Sequence, residues 1–205
     1  RPIAHWGING AMAAGPLALP GKYSARFTVE GKSITQNFEV LKDPEITTND
    51  LDLQASLQAQ VKIRDDMTAS AEMVNAIEVI RKQIEDRLKA DTLRAENRAA
   101  FTDLAKKMLE VELKILSRED LNSDDKWFVE PFSVYMNLIW LNGEVGTGAG
   151  DVAGGADFRP TEASMGVLAQ LEKELVAAKA AYKALIDKED ATIRQLAPAK
   201  PSVVP

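Results

Sequence analysis

The residues able to do chemistry in this 205-residue sequence are few and scattered. The single histidine, His5, lies beside Trp6 near the start. A general base there would need an orienting acid and a nucleophile, and the spacing supplies neither, so His5 reads as structural. Trp6 could stack on a sugar ring, but a tryptophan beside a hairpin more often packs as a lid. Glycoside hydrolysis needs two carboxylates a few ångströms apart. The adjacent pairs Asp65-Asp66 and Asp124-Asp125 fall on a helix surface and in a polar loop, where solvated charge is the default. Gly31-Lys32-Ser33 has the ending of a phosphate-binding loop, yet the glycine required five positions earlier is Arg26. Gly146-Thr147-Gly148-Ala149-Gly150-Asp151 approaches a dinucleotide fingerprint, but Asp151 replaces its last glycine and no βαβ unit surrounds it. Asp151 and Asp157 among those glycines echo one imperfect copy of a calcium nonapeptide, which works only in tandem stacks. No catalytic, cofactor-binding or metal-binding residue is assigned, and no cofactor is expected.

The elements that would position these residues begin with a loop. Residues 1–21 hold four glycines and three prolines with no sustained period. Tyr23, Ala25, Phe27 and Val29 then alternate with polar residues, as do Ile34, Gln36, Phe38 and Val40 after Gly31. This period of two predicts two half-buried strands in a hairpin, with an apolar face of Tyr23, Phe27, Val29, Phe38 and Val40. A lone hairpin is marginal in water, so that face requires further strands or a packing partner.

Pro44 ends the second strand. Beyond it Thr47 or Thr48 is expected to cap a helix across 51–90, carrying Leu53, Leu57, Val61, Met67, Ala71, Val74, Ile77, Ile84 and Leu88 inward. Glu78 with Lys82, and Glu85 with Lys89, have the favourable i,i+4 orientation. A second helix spans 92–116 on a stripe of Phe101, Leu104, Met108, Val111 and Ile115. After a polar loop, Pro131 suits the first turn of a short segment through Asn142, apolar almost all round and hence expected to be the most buried. The span 143–160 contains six glycines and predicts a flexible or functional loop. A last helix from about Thr161 places Leu168, Leu171, Leu175, Ala178, Tyr182, Leu185 and Leu196 on one side, and Pro198 stops it. The expected fold is mainly α: an antiparallel bundle of three long helices and one short buried helix, preceded by a β-hairpin. The units are a loop and hairpin over 1–44, a bundle over 45–197 and a proline-rich tail over 198–205.

A composition 45% hydrophobic and 27% charged is that of a folding globular chain. The net charge of -6 repels phosphate backbones and anionic membrane surfaces, so nucleic acid is not an expected partner. The absence of cysteine removes disulfides and thiol chemistry. The most apolar run, Phe132 to Leu141, is half the ~20 residues that a membrane span needs, and no transmembrane segment is expected.

Pro20-Gly21-Lys22-Tyr23-Ser24-Ala25-Arg26-Phe27-Thr28-Val29-Glu30-Gly31-Lys32, with Phe38-Glu39-Val40-Leu41-Lys42-Asp43-Pro44, resembles the last hairpin of the β-sandwich that follows the propeller in bacterial sortilin-like, BNR-repeat proteins labelled glycosyl hydrolases. Thr48-Asn49-Asp50-Leu51, Glu110-Val111-Glu112-Leu113 and Arg159-Pro160-Thr161 fall in the order of those C-terminal regions, so the resemblance spans nearly the whole chain by pattern. It departs at 142–158 and 124–129. The resemblance implies the tail of a longer secreted or periplasmic protein, with any sugar chemistry in the upstream propeller and residues 1–44 closing an Ig-like sandwich. The expected partner is protein, either that upstream part or another subunit. The competing expectations are a carbohydrate-binding part, with glycan as ligand, and a helical subunit of an envelope or membrane-associated complex.

Overall fold

The computed structural model describes residues 14–89, 93–117, 131–149 and 152–196. Strands β1 (Gly21–Val29) and β2 (Lys32–Val40) form an antiparallel hairpin, followed by helices α1 (Asp50–Leu88), α2 (Ala95–Glu112) and α3 (Val134–Val145). The two-residue strands β3 (Gly148–Ala149) and β4 (Val152–Ala153) then pair antiparallel, and α4 (Glu162–Arg194) is the last element of the described residues. The mainly α bundle preceded by a hairpin is thus the fold. At 1.5 Å per residue, the 39-residue α1 is about 58 Å long and is the spine of the bundle. It packs against α2, α3 and α4, and α4 also packs on α2 and α3.

The core follows the apolar periodicity. Phe101, Leu104, Met108, Val111 and Ile115 are all buried, as are Leu168, Leu171, Leu175, Ala178, Leu185 and Leu196, while Tyr182 is half-buried. In α3 the buried residues include Val134, Tyr135, Leu138, Ile139 and Leu141, but Trp140 is 40% exposed. Among the described residues, no helix is long and apolar enough to cross a membrane.

Several local expectations are corrected. The cap of α1 is Asn49, whose side chain accepts a hydrogen bond from the Asp52 amide at 3.0 Å, and not Thr47 or Thr48. The Thr48 carbonyl instead receives the Lys42 ammonium. In the first third of α1 the buried residues are Leu53, Ser56, Ala59, Gln60 and Ile63, with Leu57 and Val61 only half-buried. Lys82 lies 3.2 and 3.1 Å from Glu85 and Asp86, and Lys89 reaches Glu85 at 2.5 Å, as the i,i+4 spacing of that pair predicts. Helix α2 is shorter than 92–116, spanning 95–112, and α3 begins three residues after Pro131 with Ser133 at its cap. The glycine-rich span is partly regular: Gly143 lies inside α3 and the β3–β4 pair follows. Gly154 fits there because a Cβ would fall 2.3 Å from the Gly146 carbonyl oxygen. Pro198 and the tail lie outside the described residues, as does the loop over 118–130.

Candidate functional site

The hairpin carries a cluster of exposed large apolar side chains among the described residues. Its register pairs Tyr23 with Phe38, Phe27 with Ile34 and Val29 with Lys32, so the turn is the two residues Glu30 and Gly31. Their φ values of 48° and 78° suit the mirror-image turn that matches strand twist, and glycine takes the second without strain. Gly31-Lys32-Ser33 is therefore turn and strand start, as its sequence context requires.

Alternation sorts the side chains cleanly. Tyr23, Ala25, Phe27, Val29, Ile34, Phe38 and Val40 share one face with Lys32 and Gln36. The other face carries Lys22, Ser24, Arg26, Thr28, Ser33, Thr35, Asn37 and Glu39, with Thr28 and Ser33 joined by a 2.8 Å hydrogen bond between hydroxyls. The strands were expected to be half-buried, but within this chain they are exposed on both faces. Phe27 is 70% and Ile34 73% exposed. Tyr23 and Phe38 stack with centroids 5.9 Å apart, and the Tyr23 hydroxyl donates to the Leu19 carbonyl at 2.7 Å. The bundle leaves the apolar face uncovered because no helix packs extensively on either strand.

A joint ties the hairpin base to the bundle. The Leu17 amide donates to Gln60 Oε1 at 2.9 Å, Gln60 Nε2 donates to Ser56 Oγ at 3.0 Å, and Ser56 Oγ donates to the Ala156 carbonyl at 2.8 Å. Asn142 Nδ2 donates to the Ala14 carbonyl at 3.1 Å. These buried polar side chains hold segment 14–20 and the glycine-rich span on the bundle end. A cavity of about 290 Å³ lies between, lined by Leu17, Pro20, Val40, Leu41, Ile46 and Leu53 among others. Periodicity missed Ser56, Gln60 and Asn142, since only partners distant in sequence explain their burial.

His5, Trp6, Asp124, Asp125, Gly150 and Asp151 lie outside the described residues. Asp65 accepts from the guanidinium of its neighbour Arg64, at 2.7 and 2.9 Å. Asp157 is half-buried, and no cluster of three or more potential metal ligands occurs among the described residues.

Two carboxylates are perturbed. Glu112 is 1% exposed and paired with Arg81 across α1 and α2; burial pushes its carboxyl above the usual range, opposed by the guanidinium. Asp66 is also raised, first by burial and then by repulsion from Glu172, and its Oδ2 has no hydrogen-bond partner among the described residues. The folded chain therefore holds the Asp66 proton to higher pH than the unfolded chain does. The associated stability is full below the unfolded value of 3.8 and is lost as pH rises through the folded value. Asp66→Asn is accordingly expected to raise Tm at pH 7, with the gain fading toward pH 4 in thermal scans.

The chain matches no family model, no curated protein and no solved structure.

Proposed function

We propose that this chain is a non-catalytic structural and protein-interaction module, the C-terminal part of a secreted or periplasmic sortilin-like, BNR-repeat β-propeller protein. The observation that carries this is the solvent-exposed apolar face of the hairpin, built from Tyr23, Phe27, Val29, Ile34 and Phe38. Contiguous apolar surface of this kind marks a place where another protein packs. The hairpin supplies a greasy sheet face, the joint through Ser56 and Gln60 fixes it to the bundle, and the bundle gives that face a rigid mount. In the proposed parent, the hairpin closes the sandwich and the bundle docks against the propeller or a partner subunit.

The intact mass of the native polypeptide tests this. The expected value lies far above the 22.4 kDa of these residues. A native mass equal to 22.4 kDa, or robust glycoside turnover by the purified chain, overturns the proposal.

A further inference from the structure

We infer that Ser56, Gln60 and Asn142 form a latch through which segment 14–20 and residues 155–158 of the glycine-rich span open together, as one cooperative unit apart from the bundle. The contacts that carry this lie within the chain, so it stands or falls independently of what docks on the hairpin.

Every polar atom in the chain of bonds from Leu17 to Ala156 is committed in one direction. A serine hydroxyl has a single O–H, and a side-chain amide donates from nitrogen and accepts at oxygen. Ser56 Oγ donates that proton to the Ala156 carbonyl at 2.8 Å and accepts from Gln60 Nε2 at 3.0 Å. Gln60 Oε1 then accepts from the Leu17 amide at 2.9 Å. With the Gln60 amide turned over, its N–H groups would face the Leu17 N–H, and the Ser56 hydroxyl would have to leave Ala156 to meet the Gln60 oxygen. Ser56 is 0% and Gln60 2% exposed, so a broken bond strands a buried polar group. Loss at either end of the chain of bonds therefore weakens the other end.

Hydrogen bonds dominate at both segments. No side chain of 14–20 is fully buried among the described residues, and in 155–158 only Ala156 is. The second tie of 14–20 is Asn142 Nδ2, which donates to the Ala14 carbonyl at 3.1 Å. Asn142 lies on α3, and the end of that helix also holds the other segment: Gly155 N donates to the Glu144 carbonyl at 2.8 Å and Ala156 N to that of Gly146 at 2.9 Å. A Cβ at Gly155 would fall 2.9 Å from the Glu144 carbonyl oxygen, so the approach is close. Segments held in this way open at lower free energy than an apolar core such as that around Leu104 and Met108. Because β1 starts at Gly21, directly after 14–20, the latch passes a displacement of the hairpin on to residues 155–158.

Native-state amide exchange, followed by NMR in the full 205-residue chain over a series of sub-denaturing urea concentrations, tests this. The amides of Leu17, Gly155 and Ala156 are expected to share one opening free energy and one urea dependence, both below those of Leu104 and Met108. Ser56→Ala removes a partner of Ala156 and not of Leu17, yet should speed both amides equally, by about fivefold. Asn142→Ala removes the partner of Ala14 and should likewise speed Gly155 and Ala156 as much as Leu17. Distinct opening free energies for Leu17 and Ala156 in the parent chain overturn the inference, as does acceleration by Ser56→Ala confined to Gly155 and Ala156. Exchange of all three amides only through the opening that also exposes Leu104 overturns it too, since no separate unit would then exist. The parent chain decides the first and last of these outcomes even where a variant does not fold, and none of them bears on the docking reading, which the native mass tests.

Discussion

Phe101→Ala is expected to lower the unfolding free energy by about 4 kcal/mol. Phe101 is 2% exposed and sits on α2, the helix that packs on both α1 and α4. Truncation removes its transfer free energy and leaves a void that long helices cannot close by shifting side chains alone. In a domain of this size a loss near 4 kcal/mol corresponds to a Tm fall of roughly 8–16 °C. Phe27→Ala removes the same atoms from a ring that is 70% exposed, and its cost should stay below about 0.5 kcal/mol. Urea unfolding of the two variants side by side checks the contrast. Equal costs would mean that the bundle, and not solvent, covers the hairpin.

Breaking the Arg81–Glu112 pair is the second large effect. Glu112 is enclosed between α1 and α2, and Arg81 is its compensating charge, with Glu78 adding repulsion. Arg81→Met leaves a buried carboxylate without its cation, at a cost of about 3 kcal/mol at pH 7. The sign of the pH dependence follows from burial. The Glu112 carboxyl is raised in the fold and rises further once the guanidinium is gone, so the folded state takes up a proton before the unfolded chain does. The stability of Arg81→Met relative to the parent should therefore recover as pH falls from 7 toward 5 and decline again as pH rises. Glu112→Leu added to Arg81→Met removes the orphaned charge and should restore stability to within about 1 kcal/mol. Urea titrations at both pH values decide this; a cost independent of pH, or no rescue by Glu112→Leu, contradicts the account.

The parts of this fold legible in the sequence are those governed by short-range periodicity. The stripe from Phe101 to Ile115 is a local pattern that burial selects directly, as is that from Leu168 to Leu185. The alternation in β1 and β2 likewise gave the hairpin and its turn. Alternation gives which side chains share a face, but not what lies against that face, and this is why half-buried strands were expected where exposed ones stand. The same limit hid Ser56 and Gln60. Their burial depends on the Ala156 carbonyl and the Leu17 amide, 100 and 43 residues away, and no local period encodes such a pair. The Asn49 cap is by contrast a local signal, a favoured capping residue three positions before Asp52 that the neighbouring threonines obscured.

The central claim is that the hairpin face is open in these 205 residues and covered in the native protein. Hydroxyl-radical footprinting of Phe27, Ile34 and Phe38 reads both halves of it, comparing the purified chain with material isolated in its native assembly. The account predicts fast labelling of all three in the chain alone and labelling several-fold slower in the native assembly. Equal rates in the two samples, or slow labelling in the chain alone, would contradict it.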